Sequence, residues 1–341
     1  MARALTPPRL AIVGSESLIG RELRELLSER RLAAALDLVS SSESPDNSSS
    51  EQDGDHVALK PLTTANLQGM RLIFLAGTPE SSRKVAEMKL SALLVDLTGT
   101  IADLPRAVVR APMAEPERFL APETRLATVA HPAATALALV LRRLHSLSPV
   151  RHTVATVFEP ASQRGREAVE ELQQQTVGLL SLKSFPKAVF DDQLSFNLLS
   201  RLGADAPVPL ANSEARIERD LDRLLSADPA VPIPSLRVIH APVFHGYSLS
   251  LWVDFAERPD IAKLGAFLKA PQVDVRSLDE EAPSNVGMAG QAGVAIDAIH
   301  PDTRVPTAAW VWIVADNVRM LADNAVLIAA SLLEQSERPV Q

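Results

Sequence analysis

Two short stretches hold residues whose types and spacing could do chemistry. GSESLIG, residues 14–20, follows the apolar run RLAIV and precedes a helical pattern. In such a strand–turn–helix unit, glycines let the backbone approach a pyrophosphate and aim amide N–H groups at it. Gly14 and Gly20 fit the ends of a seven-residue form of this loop, with Ser15, Ser17 and Ile19 between them. Ser17 stands where a middle glycine would be, and its hydroxyl either crowds a phosphate or donates to it. The cofactor therefore stays open, with NAD(P) the candidate; the same residues without a cofactor make a plain Rossmann-like turn. An Arg or Lys after the second strand would suit the 2′-phosphate of NADP, yet SSSESPDN (40–47) supplies Glu43 and Asp46, which repel it.

The second stretch, HPAAT (131–135), lies between strand-like LATVA (126–130) and the apolar helical run TALALVLRRL (135–144). A strand-to-helix turn is where an α/β enzyme commonly presents a nucleophile, because the helix N-terminus favours an anion. Here the turn offers alanines. Neighbouring hydroxyls, Thr135 and Ser162, have no histidine or carboxylate at a recognisable spacing, and Thr135 reads as a helix-capping residue. His131, His240 and His245 with Glu159 could bind a metal through nitrogen and oxygen. Their spacing is not a ligand pattern, positions 240 and 245 fall on opposite faces of a strand, and no metal is assigned. Glu159 in a closed pocket needs a partner, for which His240 and Arg164 are candidates, or else it reaches solvent.

The elements that position these residues follow from periodicity. Strand-like RLAIVGS (9–15), LDLVS (36–40), LIFLAG (72–77) and LLVDLTG (93–99) alternate with helical patterns over 19–30 and 79–90, which predicts a parallel, doubly wound sheet. SSSESPDNSSSEQDGDH (40–56) is too polar to build a core and reads as a mobile loop. Beyond about 133 the pattern changes. Strands at 151–159, 237–245, 247–256, 293–299 and 308–315, with helices at 166–180 and 213–225, suggest an α+β domain on a largely antiparallel sheet. The strands at 237–245 and 247–256 read as a pair. We thus expect a Rossmann-like domain over 1–132, completed by a C-terminal helix at 315–337, and a second domain over 133–314.

With 46% hydrophobic residues in 341, the chain can bury a large core. A net charge of −8, with both signs interspersed, gives no footprint for nucleic acid. The longest apolar runs are about half the roughly 20 residues of a membrane span, and no signal core follows the basic start, so the expected location is the cytoplasm. There is no cysteine, which excludes disulfides, thiolate catalysis and cysteine-bound zinc together.

Along its whole length the chain resembles the aspartate-semialdehyde dehydrogenase family. The landmarks are LAIVGSESLIGREL near the start, GREAVEELQQQT in the middle and WVWIVADNVRMLADNAV at the end. The resemblance implies a Rossmann domain plus an α+β domain that carries the catalytic groups and forms a homodimer. It also implies a reaction in which a cysteine thiolate at a helix start attacks the aldehyde carbon, followed by hydride transfer to NADP and cleavage by phosphate.

Residue by residue, the carry-over departs. The nucleophile position falls on Ala134, and Phe158 with Glu159 stand where the family has Tyr-Gln. In HAPVFHGYSLS, His240 takes the substrate-clamping arginine's place, Tyr247 the base histidine's and Leu249 a glutamate's. The phosphate-binding arginine falls near Ala102, while Arg216 either keeps one anion-binding charge or is an exposed helical charge. Loss of a nucleophile alone costs on the order of 10⁶ in turnover. The expectation is a catalytically inactive or re-purposed family member that assembles with an active paralogue or binds a small ligand. The competing expectation is an NAD(P)-dependent oxidoreductase acting on another carbonyl without a thioester, with Tyr247 as acid. The alternating stripe of LWVDF (251–255) and AWVWIV (309–314) reads as core or dimer sheet.

Overall fold

The computed structural model describes residues 8–30, 35–43, 49–52, 55–115 and 124–337. The chain divides into two compact units, residues 1–130 with 321–341 and residues 131–320.

The first unit runs β1 (Arg9–Val13), α1 (Leu18–Glu29), β2 (Ala35–Val39), β3 (Ser49–Gln52), β4 (Asp55–Ala58), α2 (Thr64–Leu67), β5 (Leu72–Leu75), α3 (Pro79–Glu87), β6 (Leu93–Asp96), β7 (Ala107–Arg110) and β8 (Leu126–Val129). Six strands form a sheet of order β2-β1-β5-β6-β8-β7, every pair parallel. A parallel sheet must be covered on both faces, and the period-two alternation of β1 shows how. Leu10 and Ile12 face Leu23, Leu26 and Leu27 of α1 together with Leu321, Val326 and Ile328 of the last helix. Ala11 and Val13 face the other way, with Leu67 and Val85. The chain leaves β1 for β2 and then returns to β5 on β1's other side. The order thus reverses between β1 and β5, where a doubly wound sheet opens a ligand crevice at its carboxyl ends.

The polar segment 40–56 is not a loop throughout. It contributes β3 and part of an antiparallel hairpin with β4, from Ser49↔Ala58 to Gln52↔Asp55, while residues 44–48 and 53–54 lie outside the described residues. A segment that cannot build a core can still satisfy its backbone by pairing with itself.

The second unit runs α4 (Pro132–Leu147), β9 (Val150–Glu159), a 3-10 turn (Ala161–Arg164), α5 (Arg166–Leu180), α6 (Leu210–Leu225), β10 (Ser235–His240), β11 (Tyr247–Phe255), α7 (Ile261–Leu268), β12 (Val273–Val275), β13 (Val294–Ile296), β14 (His300–Pro301) and β15 (Ala308–Ala315). The start of α8 (Asn317–Glu337) closes it. Its sheet has the order β10-β9-β11-β15-β13-β12, with β14 on β15. The β9·β11, β11·β15, β13·β15 and β14·β15 pairs are antiparallel, and β10·β9 and β12·β13 are parallel. The sheet is therefore mixed and largely antiparallel.

The expected pairing of the strands at 237–245 and 247–256 is corrected: β10 and β11 both flank β9 and do not touch each other's ladder. Residues 241–246 leave the sheet, so His240 and His245 do not share a strand. Pro242 lacks the N–H to continue a ladder, and Gly246 at φ +84° turns the chain into β11. Helix α4 packs over β9, β11 and β15. On the opposite face Val154, Trp310 and Trp312 are 47, 45 and 36% exposed. Among the described residues, no helix is long and apolar enough to cross a membrane.

Candidate functional site

The second unit gathers its polar residues where β9 and β10 end and β11 begins, beside the start of α4. Parallel register sets His240 beside Glu159, the last residues of their strands. Tyr247 opens β11, one residue before Ser248 pairs with Phe158. His131 is the N-cap of α4, its Nδ1 accepting the Ala133 N–H at 3.2 Å, while Pro132 begins the helix. Arg164 comes from the 3-10 turn after β9.

Glu159 is fully buried and its partners are those foreseen. Arg164 Nε donates to Oε1 at 3.1 Å, and His240 Nδ1 lies 3.2 Å from the same oxygen without hydrogen-bond alignment. The Tyr247 hydroxyl donates to Oε2 at 3.5 Å. Burial pushes the Glu159 carboxyl up, but contact with His240 and the Arg164 charge outweigh it and hold its pKa at about 2. Arg164 also donates to the Val208 carbonyl at 2.6 Å, so the pair is fixed at both ends.

His131 is driven the other way. Burial, then the Arg216 and Arg219 charges, lower its pKa to about 3, against a smaller opposing pull from Glu159. With Nδ1 taken as an acceptor, the neutral ring carries its proton on Nε2, which lies 3.3 Å from the Tyr247 oxygen. Burial and the Glu159 charge raise the Tyr247 phenol well above its ordinary range. The result is a chain from His131 through Tyr247 to Glu159 whose members are locked in one protonation state at neutral pH. General acid–base work needs groups poised near the working pH, so this phenol is a poor proton donor to a carbonyl.

The position expected to hold a nucleophile, Ala134, is 0% exposed and presents a methyl group. Thr135 is corrected from capping residue to first-turn residue: its hydroxyl donates back to the His131 carbonyl at 3.2 Å, and His131 does the capping. Ser162 donates to Asn317 Oδ1 at 3.1 Å, an oxygen that also accepts the Gly246 N–H. Arg216 is half-buried, pairs at 3.7 Å with the buried carboxylate of Asp220, and lies close enough for its charge to act on His131. Ala102 and Leu249 are buried apolar residues. Among the described residues, no group of three or more His, Asp or Glu could hold a metal ion. Sequence reasoning missed Asp220, which accepts the His131 N–H at 2.9 Å and pairs with Arg219 at 3.0 Å. The signal was there: Asp220 interrupts the apolar stripe Ile217, Leu221, Leu224 on α6.

In the first unit, the GSESLIG turn keeps its shape. Gly14 has φ +80°, and a Cβ there would lie 2.1 Å from Gly77 Cα, so only glycine lets β1 and β5 close together at the point of order reversal. Gly20 meets the same limit, 2.3 Å from the Gly14 carbonyl oxygen. Of the two serine hydroxyls in the turn, that of Ser17 has found partners within the chain, whereas Ser15 Oγ is buried without one among the described residues. The Ser17 hydroxyl accepts the Gly20 N–H at 2.9 Å and donates to the Ala76 carbonyl at 2.6 Å, so its proton is committed. Ser15 is buried and Ile19 packs on the core. Glu16, not singled out from sequence, turns one carboxylate oxygen to Ser41. Glu43 pairs with Lys84, and Asp46 lies outside the described residues. The backbone thus keeps the tight glycine turn of a dinucleotide loop, with the carboxylates of Glu16 and Glu43 beside it.

Comparison with known proteins agrees with this architecture. Residues 141–320 match the family model described as semialdehyde dehydrogenase, dimerisation domain. A USG-1 protein homolog of Azotobacter vinelandii is 33% identical over 96% of this chain and 98% of its own length. An aspartate-semialdehyde dehydrogenase of Synechocystis is 26% identical over 97% of this chain and 98% of its own. The solved structure of a probable aspartate-semialdehyde dehydrogenase from Pseudomonas aeruginosa superposes with a TM-score of 0.85 at 28% identity, covering 96% of this chain and 99% of that one.

Proposed function

Because the chain belongs to the semialdehyde dehydrogenase family, we propose that it is a member that keeps the family frame, leaves the thioester chemistry undone, and serves as a binding or assembly subunit. The observation that carries this reading is Ala134. It sits at the start of α4, where the family resemblance puts the nucleophile, in a chain without a single cysteine. A methyl group cannot form a thioester, and the nearby hydroxyls of Thr135 and Ser162 are committed to the His131 carbonyl and Asn317. The positions matching the family's base and substrate clamp hold Tyr247 and His240, and both face the internal Glu159 carboxylate.

The assembly it serves is a homodimer, or a pairing with an active paralogue in the cytoplasm, formed through the open face of the second unit's sheet. Support comes from the exposed indoles of Trp310 and Trp312 on that face. Their size and exposure suit a buried interface better than solvent.

The test is direct. Purified protein is incubated with aspartate semialdehyde, phosphate and, in separate arms, NAD or NADP, then examined by intact-mass spectrometry and for nucleotide reduction. The expected result is an unmodified chain and no reduced nucleotide. A covalent acyl adduct or sustained turnover would overturn the reading.

A further inference from the structure

We propose that Glu16 is a built-in anion that occupies the donors a 2′-phosphate would need, and so excludes 2′-phosphorylated dinucleotides from the first unit. In a doubly wound sheet the residues that follow the second strand meet the adenosine ribose, and they decide between a 2′-hydroxyl and a 2′-phosphate. In this chain those residues are Ser40 and Ser41, directly after β2. Ser41 sits over the crevice itself: a Cβ built on Gly77 would fall 2.9 Å from Ser41 Cβ and 3.2 Å from Gly14 Cα. Its two donors point at one carboxylate oxygen, the N–H at 2.9 Å and the hydroxyl at 2.5 Å from Glu16 Oε1.

Paired N–H and O–H donors are what a phosphate oxygen would seek at this place, and charge-assisted hydrogen bonds of this kind are the strong ones. A carboxylate already in place removes both donors and adds like-charge repulsion. Position strengthens the effect, because Glu16 immediately precedes Ser17, the N-cap of α1, and the positive end of that twelve-residue helix favours an anion. Lys84, a cation at this corner, is already paired with Glu43. The inference concerns the first unit alone and stands whether or not the second unit's site is idle.

The probe is 2′,5′-ADP, with 5′-ADP as the control lacking the 2′-phosphate, each titrated calorimetrically into the full chain. The wild type should bind 2′,5′-ADP no more tightly than 5′-ADP. Glu16→Ala should bind 2′,5′-ADP at least about tenfold more tightly than the wild type does, a gain of about 1.4 kcal/mol. Affinity for 5′-ADP should change less. Glu16→Gln, which keeps an acceptor for Ser41 but no charge, should show a smaller gain in the same direction, and it serves as the second variant should Glu16→Ala fail to fold. No gain for 2′,5′-ADP in a folded variant, or an equal gain for both probes, overturns the proposal. So does wild-type preference for 2′,5′-ADP.

Discussion

Glu159 and His131 hold opposite charges of obligation. One is kept ionised by its partners, the other is kept neutral by burial, and both make folding sensitive to acid. The unfolded His131 side chain takes up a proton near its ordinary pKa of 6.5, while the folded ring resists until about 3. The unfolded state therefore binds more protons across that window, and stability present above 6.5 is lost as the pH falls through it. Glu159 acts in the same direction lower down, its contribution complete above 4.5 and lost toward about 2. Unfolding free energy should fall by about 1.4 kcal/mol per pH unit below His131's ordinary pKa, and by about 2.7 once Glu159 joins. Urea unfolding at a series of pH values checks this. His131→Asn, which keeps a cap acceptor for α4, should flatten the upper part of the slope.

Among the elements, α1 shows how a chemical signature can be structural. Its sequence carries the helical pattern over 19–30, and in the structure Leu23, Leu26 and Leu27 are buried while Ile19 is partly buried against the same core. What Ser17 does was not legible, since its acceptor, the Ala76 carbonyl, lies 59 residues away. Ser17→Ala removes both the helix cap and that tie. A loss of about 1–2 kcal/mol is expected in urea unfolding, with Ser17→Thr retaining most of the stability. The hairpin of β3 and β4 was hidden for a different reason: strand periodicity reports a buried face, and a polar ribbon has none to report.

For the whole molecule, the proposed assembly rests on the exposed sheet face of the second unit. Register places Trp252 between Val154 and Trp310, and Phe158 and Trp312 meet with ring centroids 5.8 Å apart. Asp302 fixes two of the indoles, accepting from Trp252 Nε1 at 2.9 Å and Trp310 Nε1 at 3.0 Å. The backbone N–H groups of Arg304 and Val305, with these indoles, hold its carboxyl at about 2, so the anchor is charged at any working pH. Sedimentation velocity should find a dimer at micromolar concentration. Trp310→Glu with Trp312→Glu should weaken it by at least about 100-fold, since a buried aromatic anchor carries roughly 2–4 kcal/mol. A monomeric wild type would contradict the proposed assembly.

Local chemistry and periodicity belong to the sequence alone: the alternation of β1, β5 and β6 with α1 and α3, the absence of cysteine, the alanine at 134 and the glycines that allow the turn at 14. These depend on residues within one element or on the mere presence of an atom. Which groups face one another was decided only by the tertiary structure. Glu159 meets His240 because β9 and β10 are parallel neighbours 81 positions apart in register, and Glu16 meets Ser41 because β1 and β2 lie side by side. Side-chain charges act over a few ångströms, whereas the sequence separations that bring them together run to tens of residues. A carboxylate's partner is therefore a property of strand order.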